Sequence, residues 1–225
     1  MRELFEKYKI PIDENQEKLF EKYYDLLIYY NALFNITAIT EKRDVYIKHF
    51  IDSLVVVDKL KSGKLIDIGS GGGFPALPIK ILRPDIDVTL VESTGKKCEF
   101  LNAVIKELNL TGATVIKGRA EEESKKSLRE SFDYCTARAV ARLNILSEYC
   151  LPFVKLGGTF IAFKSGESEE VSEAERAIGL LGGKTEKTES YFLEGASRSL
   201  IFIKKISPTD KKYPRGHGKE RKYPL

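Results

Sequence analysis

At 225 residues, 42% hydrophobic and 31% charged, the chain is long and apolar enough for one α/β domain with an extension. No apolar run approaches the eighteen or so residues of a membrane span, and Met1-Arg2-Glu3-Leu4 opens no signal-peptide core, so a cytoplasmic protein without membrane contact is expected. The net charge is only +4, but residues 204–225 carry eight basic side chains against Asp210 and Glu220, a local +6 that leaves −2 on the remainder; such a split suits a polyanion partner or a solvated tail.

In chain order, residues 14–33 repeat apolar side chains at helical spacing (Leu19, Phe20, Tyr23, Leu26, Leu27, Tyr30), with Asp13 as N-cap. A second helix is predicted from Asp44 to Leu60. After Ser62-Gly63 the rhythm changes: Leu65–Ile68 reads as a buried strand ending in Gly69-Ser70-Gly71-Gly72-Gly73. Then come a short helix at Ala76–Leu82, a strand at Asp87–Glu92, a helix at Lys96–Leu108 and a strand at Ala113–Lys117. A helix at Ala120–Arg129, a strand at Phe132–Ala137, a helix at Leu143–Tyr149, a strand at Thr159–Lys164 and a helix at Glu167–Leu181 continue the alternation. Two strands, 184–193 and 198–206, close as an antiparallel hairpin. Strands alternating with helices mean a mostly parallel sheet wound on both faces, with its ligand at the carboxyl ends of the strands.

The turn Asp67–Pro75 carries the chemistry. A dinucleotide fingerprint needs a third glycine where Phe74 stands, and Phe74-Pro75 puts bulk at the helix start that a pyrophosphate would approach. The spacing is instead Asp67-x-Gly69-x-Gly71-x-Gly73, a form associated with S-adenosylmethionine (SAM). Glu92, at the end of the next strand, supplies a carboxylate for two ribose hydroxyls. Asp67 is expected to hold the loop and the methionine amine, and Ala120-Glu121 to border the adenine. Cys98, Cys135 and Cys150 lack ligand spacing and the two histidines, His49 and His217, lie far apart, so no metal is expected.

These residues, with Arg119-Ala120-Glu121, Arg138-Ala139-Val140-Ala141, Asn35-Ile36-Thr37, Arg43, His49–Leu54 and Tyr213-Pro214-Arg215, closely resemble the bacterial small-subunit ribosomal RNA methyltransferase G family, also called glucose-inhibited division protein B. The resemblance runs nearly end to end. It implies a class I SAM-methyltransferase fold, a Rossmann-like and mostly parallel seven-stranded sheet with an antiparallel edge hairpin. It implies N7-methylation of one guanosine in 16S rRNA, in the loop beside the decoding centre. By matching motif, SAM contacts fall on Gly69, Phe74, Ala120, Glu121 and Arg138, with Glu92, Ser93 and Thr94 on the ribose side; Asp67 and Gly71 join them from the turn itself. Two motifs differ from the family's usual form: Lys164-Ser165-Gly166, and Pro214-Arg215-Gly216-His217-Gly218.

Guanine N7 carries a free lone pair at neutral pH, so a positioning mechanism without a general base is expected. The sequence is consistent: neither an Asn/Asp-Pro-Pro-aromatic motif nor a Pro-Cys nucleophile is present. Arg43, His49, Lys164, Arg215 and Lys219 are the candidate RNA contacts. His49 and Asp52, three apart on a helix, are expected to meet each other or a shared partner. The division expected is a helical extension at 1–62, the methyltransferase domain at 63–207 and a basic tail at 208–225, acting as a monomer on the small subunit or its assembly intermediate. The competing readings are a methyltransferase of another RNA, an NAD-type oxidoreductase and a ribosome-binding factor that has lost catalysis.

Overall fold

The computed structural model describes residues 1–166 and 170–225. Seven strands form one sheet: β1 (Gly63–Ile68), β2 (Ile86–Glu92), β3 (Ala113–Lys117), β4 (Phe132–Arg138), β5 (Val154–Ser165), β6 (Gly183–Leu193) and β7 (Ala196–Lys205). Their spatial order is β3-β2-β1-β4-β5-β7-β6. β1 pairs in parallel with β2 and β4, and β4 with β5, whereas β7 lies antiparallel to both β5 and β6. The expected hairpin is therefore there, with its second strand on the inside. The strand order reverses beside β1, so the crevice opens above the ends of β1, β2 and β4.

Alternation along the strands sorts two cores. Leu65, Val88, Leu90 and Ile161 face a cluster built with Phe20, Tyr23, Phe50 and Phe100. Ile66, Ile68, Val91 and Ala162 face the other, with Leu143, Leu146, Ile178 and Tyr213. The first cluster mixes residues before and after position 62, so the N-terminal helices cover one face of the sheet. Among them, Glu14–Phe34 starts with the expected Asp13 cap, completed as a capping box by Gln16. A helix at Arg2–Lys7, which periodicity did not reveal, buries Phe5 against Phe20 at 5.0 Å between ring centroids.

Two elements differ from the sequence reading, and a third is described only in part. The helix expected at Asp44–Leu60 is a composite of α-helix Lys42–Val45, π-helix Tyr46–Ile51 and α-helix Asp52–Leu54, with a 3₁₀ turn at Val57–Lys59. Such π segments recur at functional sites, and here Ser53 Oγ donates back to the His49 carbonyl at 2.5 Å. The helix expected at Ala120–Arg129 stops at Glu123; bonds from Lys125 to Glu122 and from Lys126 to Glu123 tighten the chain into three-residue turns instead. The start predicted at Glu167 lies outside the described residues, and the helix is described as Glu170–Leu180.

Candidate cofactor and acceptor sites

The glycine turn is held from three sides. Gly69 and Ser70 donate to the Val91 carbonyl at 2.9 and 3.3 Å, and Gly73 N–H donates to Ser70 O at 2.7 Å. Gly69, Gly71 and Gly73 have φ of +69°, +54° and +87°, the left-handed region where a side chain is strained. At Gly73 a Cβ would also fall 2.5 Å from the Tyr23 hydroxyl, which donates to the Gly72 carbonyl. At Gly71 a Cβ would meet only Gly69 O, at 3.8 Å. Room for a ligand therefore opens at Gly71.

Glu92 reaches this turn from β2. Its Oε2 accepts from Gly71 N–H at 2.9 Å and its Oε1 from Thr94 N–H at 2.8 Å. Each carboxylate oxygen keeps a lone pair, so the group can still accept two hydroxyls. Asp67, paired in register with Thr136 across β1 and β4, accepts the Thr136 hydroxyl on Oδ1 at 2.7 Å. Its Oδ2 is buried and, among the described residues, has no hydrogen-bond partner. Such an orphan fits an ammonium ligand. Burial raises the Asp67 carboxyl to about 7.

That value gives a test with a definite sign. Between the ordinary 3.8 and about 7, the unfolded chain holds Asp67 ionised while the folded chain keeps it protonated. Folding then takes up a proton, and stability falls as pH rises until about 7. Asp67→Asn removes this loss. Its thermal midpoint relative to the parent should rise steadily from pH 4 to 7 and level off above, measured without ligand; a pH-independent difference would contradict the raised carboxyl.

A cavity of about 400 Å³ lies alongside the turn, bordered by Gly69, Val91, Ser93, Ala120, Glu121 and Val140. Four of the expected cofactor residues, Gly69, Ser93, Ala120 and Glu121, thus share one wall system. Asp67, Gly71, Glu92, Thr94 and Arg138 do not border it, and neither does Phe74. Its ring is buried in a stack, 4.5 Å from the His49 ring at 18° and 5.6 Å from the Tyr23 ring at 22°, with the Arg138 guanidinium 5.1 Å above it. What remains of Phe74 for a ligand is backbone. Tyr149 and Arg221 also border the cavity; no motif signalled them, because both come from elements that only the fold brings to this wall.

Arg138 ends β4 in a dense set of contacts. NH1 donates to the Lys48 carbonyl at 3.1 Å and to Asp52 Oδ2 at 3.0 Å, and NH2 lies 3.2 Å from His49 Nδ1. Nδ1 also lies 3.2 Å from the Lys48 carbonyl, and Nε2 lies 2.9 Å from Thr37 Oγ1. Burial first, then Arg138, lower the His49 imidazole to about 3, so it is neutral at physiological pH. His49 and Asp52 do meet a shared partner, and it is Arg138. Asp52 completes the set by accepting the Tyr191 hydroxyl at 2.8 Å.

Beyond Arg138 opens a second cavity of about 420 Å³, bordered by Asp52, Arg138, Arg142, Lys164, Tyr191 and Arg198. Ala139, at φ +57°, turns the chain so that Arg138 and Ala139 border this cavity while Val140 borders the first. One strained loop separates the two.

The expected RNA residues are scattered. Lys164 Nζ, 12% exposed, donates to Ala141 O at 2.8 Å and Glu170 at 2.7 Å. Arg215 forms a bidentate pair with buried Glu148, at 2.7 Å from NH2 to Oε2. Arg43, half exposed, pairs with Glu194 at 3.1 Å, and Lys219 is exposed at the start of a four-residue helix, Lys219–Lys222. For His49, Lys164 and Arg215 the folded chain therefore provides internal partners where phosphate contact was expected.

The family model for rRNA small subunit methyltransferase G matches residues 16–201. A ribosomal RNA small subunit methyltransferase G of Lachnoclostridium phytofermentans is 48% identical, over 96% of this chain and 92% of its own. Its counterpart in Lactobacillus johnsonii is 45% identical over 97% and 95%. Among solved structures, YcgJ of Bacillus subtilis superposes with TM-score 0.55 at 14% identity, over 71% of this chain and all of its own. An O-methyltransferase from neocarzinostatin biosynthesis, crystallised with S-adenosyl-L-homocysteine, gives 0.54 at 13%, over 69% and 54%. At such identities the likeness concerns the fold, that of the class I SAM-dependent methyltransferases. The dinucleotide oxidoreductase alternative falls here, and the chain belongs to the rRNA small subunit methyltransferase G family.

Proposed function

We propose that this protein methylates N7 of one guanosine of 16S rRNA, in the loop beside the decoding centre, with SAM as methyl donor. The observation that carries this reading is the pair of cavities divided by Arg138–Val140: one lies alongside the glycine turn, the other is lined by four cations together with the carboxylates of Asp52, Glu170 and Glu173. At the first, Ser93, Ala120 and Glu121 would border the adenine side, while Glu92 and Asp67, from the adjoining turn, would hold the ribose and the methionine amine, with Thr94 and Gly71 fixing the carboxylate of Glu92. SAM supplies a methyl group on a positively charged sulfur.

In the second cavity, Arg142 and Arg198 would take the phosphates that flank the target, and Tyr191 and Arg138 would shape the base pocket. N7 needs no deprotonation, so these residues act by fixing the base, an effect worth up to about 7–11 kcal/mol when alignment is complete. Neutral His49 supports Arg138 and takes no proton. Exposed Lys211, Lys212, Lys219 and Lys222 and half-exposed Arg43 are further cations open to a polyanion. Among the described residues no helix is long and apolar enough to cross a membrane; we place the protein in the cytoplasm as a monomer, acting on the small subunit or its assembly intermediate.

The test uses small subunits from a strain lacking this gene and SAM labelled in its methyl group. After digestion of the rRNA, the label should migrate as 7-methylguanosine from a single site. Label in any other nucleoside would overturn the N7 reading, and no transfer despite SAM binding would favour a factor without catalysis.

A further inference from the structure

The C-terminal segment after β7 is anchored at every few residues. Lys205 is fully buried and donates to the Leu151 carbonyl at 2.8 Å. Arg129 donates to the carbonyls of Thr209, Asp210 and Tyr213 at 2.8, 3.1 and 3.0 Å. Tyr213 is buried in the core of that face. The Arg215–Glu148 pair follows, with Glu148 1% exposed. Gly216 N–H then donates to Glu220, which is fully buried. Glu148 sits on helix Leu143–Cys150 directly before Tyr149, a residue of the cofactor-cavity wall. The same helix thus anchors the segment and borders the cavity.

This path delivers Arg221 to that cavity, beside Ala120 and Glu121. Arg221 borders the cavity together with Tyr149, and its charge opposes the upward push that burial gives the Tyr149 hydroxyl. We infer that the C-terminal segment is part of the cofactor site, with the Arg221 guanidinium forming the wall that binds the adenosine half of the cofactor. The inference rests on assigning this cavity to SAM. Charge is not the reason for an arginine here, since SAM itself carries positive sulfur and ammonium groups. Adenine offers a π-face and unprotonated ring nitrogens. A planar guanidinium can stack on the first and donate to the second, which an ammonium cannot do. The neighbours Lys219 and Lys222 are exposed on the same short helix, so one element serves both the cofactor and the polyanion.

Arg221→Lys keeps the charge and the fold but removes the plane. Calorimetry with SAM, S-adenosylhomocysteine and 5′-methylthioadenosine should show a loss of roughly three- to thirty-fold for all three. The salt dependence of rRNA binding should stay at its parental slope, because no charge is lost. Unchanged affinity for the three compounds overturns the inference, as does a loss that spares methylthioadenosine. Gly71→Val, measured alongside, separates the two levels: if it abolishes binding while Arg221→Lys has no effect, the cavity assignment stands and the arginine role falls. If Gly71→Val leaves binding intact, the cavity assignment itself fails. Removal of residues 208–225 is the poorer test, since it also removes Tyr213 and the Arg215 anchor.

Discussion

Gly71→Val should lower SAM affinity by at least about 100-fold, roughly 2.7 kcal/mol, in a protein that still folds. Gly71 is where the turn is both strained for a side chain, at φ +54°, and open, with nothing but Gly69 O near the position of a Cβ. A branched side chain there projects into the ligand space that Glu92 and the turn define. The backbone strain costs about 1–3 kcal/mol, which lowers the thermal midpoint without abolishing the fold. Gly71→Ala should show most of the strain and less of the affinity loss. Neighbouring glycines are no substitute: a Cβ at Gly69 would meet Val140 at 2.8 Å, and one at Gly73 the Tyr23 hydroxyl at 2.5 Å, so those variants disturb packing first. Calorimetric titration and thermal unfolding give the two quantities separately. SAM affinity within a few-fold of the parent would show that the cofactor lies elsewhere.

Arg138→Ala should lose about 100-fold or more in kcat/KM and about 3–5 kcal/mol in stability, the range for breaking a buried ion pair from one side. The pair qualifies, with side chains 16% and 5% exposed for Arg138 and Asp52. Among the described residues the variant leaves Asp52 with the Tyr191 hydroxyl alone, and it removes the cation above Phe74. Adding Asp52→Asn relieves the orphan charge, so the double variant should recover much of the stability and little of the activity. If activity returns together with stability, Arg138 is merely structural. A second readout is the His49 imidazole, which burial and then Arg138 hold near 3; its titration by NMR should move upward in Arg138→Ala.

Much of the architecture was legible because it is written locally. Alternating strand and helix periods announced the parallel sheet, and the spacing of Asp67, Gly69, Gly71 and Gly73 announced a ligand turn, since φ above zero is a property of single residues. Glu92 was legible as the acid that ends the next strand. Periodicity names an apolar face without naming what covers it, so the role of Tyr23 and His49 in clamping Phe74 was not legible. The same holds for charges. Lys164 and Arg215 look like free cations in the sequence, but Glu170 and Glu148 reach them only in the folded chain, Glu148 from 67 positions away. The net charge of the basic tail likewise says nothing of the anchoring by Arg129, Glu148 and Tyr213.

Placing β7 between β5 and β6 has a consequence for a chain made from its N-terminus. Each of β2, β4 and β5 can join a strand already synthesised, and β3 can join β2. β6 cannot: its sheet partner is β7, which leaves the ribosome later. For that interval an eleven-residue strand is without a neighbour, while the flank of β5 also waits uncovered. The exposed side chains of β6 include Lys184, Glu186 and Lys187, a mixed-charge row that resists pairing with another nascent chain. That row guards the sheet's edge in the finished enzyme, and it guards the unfinished one during synthesis.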